Sequence, residues 1–121
     1  MPLENKLYTA LTGSTLITAY TTRIFPVVAP PETILPFIIY VRTIGGQINT
    51  LSGYATIENP SIQIDVFSTG YSQVKTLSDN IHSVLNGTTT FRSILKNDTD
   101  LFNEDLEAYH ITMDFTCINR E

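Results

Sequence analysis

The chain has 121 residues, enough for one domain and too few for two, since domains typically have about 100–150 residues. Hydrophobic residues make up 42% and charged residues 16%, which excludes an intrinsically disordered chain and predicts one globular domain over residues 1–121. The net charge of −5 comes from 12 acidic and 7 scattered basic residues, which argues against nucleic-acid binding through clustered phosphate contacts.

The first predicted element is a short amphipathic helix near the N-terminus. Its apolar positions recur every three or four residues: Leu3, Leu7, Ala10 and Leu11. Gly13 is a typical C-terminal stop, and Ser14 is placed to cap one further helical turn. Prolines at positions 26, 30, 31 and 36 then prevent a helix, so we expect an extended surface connection.

Two strands follow. Residues Leu35 to Ile44 are rich in β-branched and aromatic side chains with almost no polar alternation, which predicts a central strand covered on both faces. Residues Ser61 to Phe67 alternate, with Ile62, Ile64 and Val66 on one face. The alternation predicts a half-buried strand that runs antiparallel to the first.

The strongest helical pattern spans Gly70 to Asn86. Its apolar stripe predicts a helix that packs on a sheet. The stripe consists of Val74, Leu77, Ile81, Val84 and Leu85. Ser68 or Thr69 is the expected N-terminal cap, and Gly87 is the expected stop.

Two strands are predicted after this helix, over Phe91 to Lys96 and over Ala108 to Asn119. The second alternates clearly, with Ile111, Met113, Phe115 and Cys117 inward and His110, Thr112, Asp114 and Thr116 outward. The order helix, strand, strand, helix, strand, strand favours an α+β fold. We expect an antiparallel sheet of about four strands with two helices packed on one face.

Residue types that carry chemistry are few, and their positions predict no catalytic, cofactor or metal site. His82 falls on the polar side of the main helix. His110 and Asp114 share a strand face but lie about 13 Å apart, too far for a catalytic dyad. Cys117 is the only cysteine, which excludes an internal disulfide, and an inward cysteine behaves as a small apolar side chain. The start of the chain lacks the pattern of a signal peptide, and no apolar run approaches the about 20 residues of a membrane helix.

An acidic stretch precedes the last strand. Its members are Asp98, Asp100, Glu104, Asp105 and Glu107. A calcium loop starting at Asp98 would need glycine where Asn103 stands and glutamate where Tyr109 stands, so that comparison fails. We interpret the stretch as a solvated acidic loop, with a patch that repels DNA or meets a basic partner as the functional alternative.

Several motifs together resemble the tail-completion (tail-terminator) proteins of long-tailed phages, prophages and gene transfer agents. They are Arg23-Ile24-Phe25-Pro26 followed by Ala29-Pro30, Leu35 to Tyr40, Ile62 to Phe67, a helix opened by Tyr71, and Tyr109 to Phe115. They cover nearly the whole chain in the family's order and at close to its spacing.

The resemblance implies a structural virion protein at the head–tail junction, assembled in the host cytoplasm. It would form a ring of six subunits on the last ring of the major tail tube protein, end tube growth and present a docking face to the head-completion or connector protein. DNA would pass through the ring, without sequence-specific binding. A net negative charge suits such a conduit, because phosphate binding would retain the DNA.

The segment from Gly45 to Asn59 is a candidate assembly arm. It places about fifteen residues between two strands that a short turn could join. Connections longer than about 12–15 residues are usually functional or disordered. Ile48, Leu51, Tyr54 and Ile57 supply apolar surface beside a single charge. We expect the arm to fold against a neighbouring subunit or the tail tube. The alternative is that the two strands continue into one long hairpin.

Two other classes of function remain open at this stage. One is a head-completion, connector or tube subunit of the same particle. The other is a small ligand-binding domain or enzyme, which would need convergent polar groups in a pocket where the inward faces offer only apolar atoms.

Overall fold

The computed structural model describes residues 3–44, 47–50, 53–58, 61–88, 91–105 and 107–120. In this part of the chain three helices and seven strands follow one another. The helices are α1 (Leu3–Thr12), α2 (Thr15–Thr18) and α3 (Tyr71–Gly87). The strands are β1 (Ile24–Pro26), β2 (Phe37–Ile44), β3 (Gln47–Thr50), β4 (Gly53–Glu58), β5 (Ser61–Ser68), β6 (Arg92–Asn103) and β7 (Ala108–Arg120).

The main sheet has the strand order β1-β2-β5-β7-β6. Its pairs are antiparallel except β1 with β2, which are parallel. The α+β prediction is confirmed, and two of its details are corrected: the main sheet has five strands instead of about four, and it is mixed. The additional strand, β1, is only three residues long and lies inside the proline-rich segment, where no alternation could reveal it.

The strands β3 and β4 continue β2 and β5 into one long hairpin. Glu58 pairs with Asn119, and Ser61, three residues later, pairs with Thr116, three residues earlier on β7. The register of β4 and β5 against β7 is therefore the same. Gly53, Ile57 and Glu58 pair with β3, and in the described part of the chain the last contact of β4 with β7 is Ile57 with Arg120. The end of the hairpin is a two-stranded ribbon.

The helix α3 covers one face of the sheet. Four of its five predicted stripe residues, Val74, Leu77, Ile81 and Leu85, are at most 2% exposed, and Val84 is partly buried. They pack with the inward residues of β5 and β7, all buried as the alternation predicts. Leu7, Leu11 and Ile17 from α1 and α2 complete the same core.

The observed ends of the helices confirm the sequence predictions in part. Ser14 caps α2, because its Oγ accepts a hydrogen bond from the Leu16 backbone N–H at 3.2 Å. The predicted cap of α3 is wrong: Gly70 occupies that position without a side-chain hydrogen bond, and Ser68 Oγ accepts from the Gly70 N–H at 3.3 Å. The helix ends at Gly87, one residue beyond the predicted Asn86.

Candidate assembly surfaces

Of the candidate arm, Gly45 to Asn59, the structure describes the strands β3 and β4, which pair to form a ribbon, and the other residues of the arm lie outside the described ones. Ile48 and Ile57 lie directly opposite one another on its two strands, and Tyr54 is on β4; Leu51 lies outside the described residues. The long-hairpin alternative therefore describes the backbone of this segment. Since a two-stranded hairpin alone is marginally stable in water, a ribbon that extends beyond the main sheet gains stability when another surface covers it.

The first part of the acidic stretch is a strand, so the prediction of a loop is wrong for Asp98 and Asp100, whereas the predicted exposure to solvent is found. The strand β6 continues through Asn103, and Asp98 and Asp100 pair with Met113 and Ile111 of β7. The loop was predicted from charge, yet an edge strand tolerates charge because its side chains stay in water. All five predicted acidic residues are exposed, with Glu104, Asp105 and Glu107 at the turn between β6 and β7.

Asp100 ties β6 to the first turns of α3. The Tyr71 hydroxyl donates a hydrogen bond to Asp100 Oδ2 at 2.7 Å, and Lys75 Nζ lies 3.3 Å from the same oxygen. The hydrogen bond to Asp100 raises the pKa of Tyr71 and the pKa of Lys75. The hydrogen bond from Tyr71 lowers the pKa of Asp100. One member of the acidic stretch is therefore engaged within the chain.

His110 has an acidic partner that sequence reasoning missed. Asp65 Oδ1 lies 3.2 Å from His110 Nε2, and Thr112 Oγ1 lies 3.1 Å from the same nitrogen. The prediction considered only Asp114, on the same strand. Asp65 comes from the neighbouring strand β5, opposite Thr112. Alternation had placed both side chains on the outward face, so the antiparallel register was the missing information.

The Asp65 carboxylate is stabilised by its neighbours. Burial raises the pKa of Asp65, but hydrogen bonds with His110, Thr112 and Gln63 outweigh it, so the pKa lies below its usual value. The His110 ring also stacks on Phe67, with ring centres 4.1 Å apart. A catalytic relay needs one partner on each imidazole nitrogen, whereas Asp65 and Thr112 both contact Nε2. The arrangement joins side chains of β5 and β7 on the outward face of the sheet.

The remaining candidates for chemistry lie where the sequence placed them. His82 is exposed on α3, and Cys117 is buried on β7. Burial raises the pKa of Cys117 to about 12, so its thiolate is not available near neutral pH. Within the described ranges, no group of three or more histidine, cysteine or acidic residues could hold a metal ion. No described helix is long and apolar enough to cross a membrane.

Comparison with known proteins identifies the family. The family described as "Tail completion protein gp17" matches residues 5–119, and the chain belongs to it. This is a family of phage tail structural proteins, so the resemblance predicted from the sequence motifs is confirmed.

The fold also matches a solved structure. A chain from the "virion of native gene transfer agent (GTA) particle" aligns with a TM-score of 0.73 over 98% of this chain and 95% of that chain. The two sequences are 14% identical, so this likeness shows a shared fold.

One curated protein matches over a shorter stretch. It is described as a probable DNA-directed RNA polymerase II subunit RPB11 from Plasmodium chabaudi chabaudi, 42% identical over 50 residues. The match spans 41% of this chain and 39% of that protein. It covers less than half of either chain, so it does not define a family.

Proposed function

We propose that this protein closes the head-proximal end of a phage tail as a ring of six subunits, ends growth of the tail tube and joins the tail to the head connector. The observation that carries the proposal is the family match over residues 5–119. The protein would assemble in the host cytoplasm and remain in the virion at the head–tail junction, with the major tail tube protein and a head-completion or connector protein as its partners.

The second part of the proposal concerns the ribbon of β3 and β4. It extends beyond the end of β7, and its sequence supplies apolar residues at positions 48, 51, 54 and 57. Apolar surface on a ribbon needs a partner to remove it from water. We assign this assembly arm to contact with a neighbouring subunit or with the tail tube.

The charge of the acidic stretch supports a role in the passage of DNA through the proposed ring. Four of its five residues, all except Asp100, form no ion pair among the described residues, so no described cation compensates their charge. Uncompensated carboxylates repel phosphates, which would keep DNA from adhering to a surface that it passes. A role in meeting a basic surface of a partner is the second use of the same charges.

Deletion tests the function. Particles produced without the protein, imaged by negative-stain electron microscopy, should be filled heads and separate tails, including overlong tails. Normal particles without the protein would reject tail completion. Joined particles with a defect elsewhere would favour a different structural role in the same particle.

An arm variant tests the interface. With Ile48, Leu51 and Tyr54 all changed to Ser, the protein should fold and melt like the parent but fail to join tails to heads. A matched control changes two exposed apolar residues on the helical side, Leu16→Ser and Tyr20→Ser, and should still join them. Normal infectious particles from the arm variant would remove the arm from assembly, and an arm variant that fails to fold would place the segment in the core.

A further inference from the structure

The two edges of the main sheet carry different exposed surfaces. Among the described strands, β1 pairs only with β2 and β6 only with β7, so each has an edge that no described strand covers. A subunit in a closed ring joins its two neighbours through different surfaces, which must be complementary. The opposite edges of one sheet are suited to this, because they face opposite neighbours.

The β6 edge presents a groove. It has a volume of about 590 Å³ and lies between the end of α3 and the first residues of β6. Apolar side chains line it, among them Leu85, Phe91, Ile94 and Ile118, and Ile94 is 63% exposed. Arg92 lies in the lining as well, and Lys96 follows on the same strand. The structure places neither cation in an ion pair with a described residue.

The loop of residues 27–34, which connects β1 to β2, carries exposed apolar side chains. Val27, Val28 and Ile34 are each about 70% exposed. The Arg23 side chain binds the backbone at the end of the loop. Its Nε donates to the Ile34 carbonyl oxygen at 2.7 Å and to the Pro36 carbonyl oxygen at 3.2 Å. The loop therefore loses little conformational entropy when it binds.

The backbone of this loop contains an uncommon conformation. Val27 has φ of 66°, which is a genuine outlier for a β-branched residue. Its N–H donates to the Tyr40 carbonyl oxygen at 2.9 Å, and this bond holds the conformation. Glu32, also at positive φ, is exposed and forms no ion pair within the described ranges. Such outliers are costly, and they persist only where the surrounding contacts hold them in place.

We propose that the loop of residues 27–34 in one copy of the chain seats in the β6 groove of the next copy. The apolar side chains of the loop would cover Ile94 and Ile118, and Glu32 would face Arg92 and Lys96. The loop brings apolar side chains and one acid, and the groove brings apolar side chains and Arg92, with Lys96 further along the same strand. None of these three charges forms an ion pair with a described residue. This assignment rests on the proposed ring, and it names the surfaces through which the ring closes.

Cysteine cross-linking tests the geometry. The variant with Ile34→Cys and Ile94→Cys, treated with a short bis-maleimide across a concentration series, should form a ladder of dimers, trimers and larger products. Native Cys117 is buried and should not react. Each single variant should stay at background, since a contact between two different surfaces never brings identical cysteines together. The pair Leu16→Cys with Ile94→Cys is the control and should form no ladder.

Two results would overturn the proposal. One is the absence of a ladder from the double variant at the highest concentration. The other is efficient dimer formation by Ile94→Cys alone, which would show that two β6 edges pair about a two-fold axis.

Charge reversal tests the pairing. In the double-cysteine background, Glu32→Arg should lower the cross-linking yield by about tenfold, since like charges across an interface oppose association. Adding Arg92→Glu and Lys96→Glu should restore the yield. An unchanged yield in Glu32→Arg, or no recovery in the combined variant, would reject the assigned contact.

The interface and the proposed function can fail separately. A ladder from the purified protein, together with normal particles made without it, would keep the interface and reject tail completion. Unjoined heads and tails in the deletion, together with no ladder, would keep the function and reject this interface.

Discussion

The two faces of the sheet are held by different means. On the face covered by α3, four stripe residues of the helix pack with apolar inward residues of β5 and β7. On the other face, Phe67 stacks between Phe37 and His110, with ring centres 4.6 Å and 4.1 Å away, and Asp65 binds His110 beside them. The face packed against α3 depends on the periodicity of single elements. The opposite face, called the open face because α3 does not cover it, depends on how neighbouring strands align.

The largest expected effect is on the covered face. Leu77 is fully buried, so Leu77→Ala should lower the free energy of unfolding by about 2–5 kcal/mol through lost burial and a cavity. Urea denaturation measures the change. Thr76→Ala, an exposed position next to it on α3, is the control and should stay within about 0.5 kcal/mol. An unchanged melting temperature in Leu77→Ala would show that the stripe faces solvent or a partner.

The open face should respond less to a single change. Asp65→Asn should lower the free energy of unfolding by about 1–3 kcal/mol, because the charged acceptor of the hydrogen bonds from His110 and Gln63 is lost. Urea denaturation at neutral pH measures this. A variant as stable as the parent would mean that the open face contributes nothing through this pair.

The pH dependence of that difference has a definite sign. Since folding lowers the pKa of Asp65, the carboxylate contributes its full stability above the unfolded pKa of about 3.9. That contribution is lost as the pH falls through the lower folded value. The difference between parent and Asp65→Asn should therefore shrink below about pH 4. NMR titration of the Asp65 carboxyl should give a midpoint below the usual value, and a higher midpoint would contradict the prediction.

The same substitution at the exposed β6 edge sharpens the comparison. Asp100 contacts Tyr71 and Lys75, but water screens these contacts because Tyr71 and Asp100 are exposed and the Lys75 side chain is 45% exposed. Asp100→Asn should therefore lower the melting temperature less than Asp65→Asn does. Equal effects in parallel thermal melts would mean that partners, not burial, determine the value of a carboxylate on this sheet.

We expect divalent cations to have no effect on the stability of the protein. Thermal stability should be the same with Ca²⁺, with Mg²⁺ and with EDTA, because no set of ligands at workable spacing occurs in the acidic stretch. Differential scanning fluorimetry measures this. A shift of several degrees with millimolar Ca²⁺ would reverse the interpretation of Asp98 to Glu107.

The sequence by itself determined the elements whose pattern is local. The α3 stripe and the alternation in β5 and β7 needed no tertiary information, because the periods of 3.6 and 2 decide which side chains share a face. The resemblance carried by the motifs from Arg23 to Phe115 likewise identified the family that the comparison confirmed. The residue types near the start of α3 did not predict its N-terminal cap. Ser68 and Thr69 are better capping residues than glycine, yet Gly70 occupies the cap position.

Only the tertiary structure decided what depends on strands meeting across the sheet. The partner of His110 was set by the β5–β7 register, and β1 was a strand only because β2 lay beside it. The acidic residues of β6 became part of a strand because β7 supplied its hydrogen bonds on one side while water solvated the charges. In each case the deciding contact joins residues far apart in the chain, and no local pattern in the sequence encodes that distance.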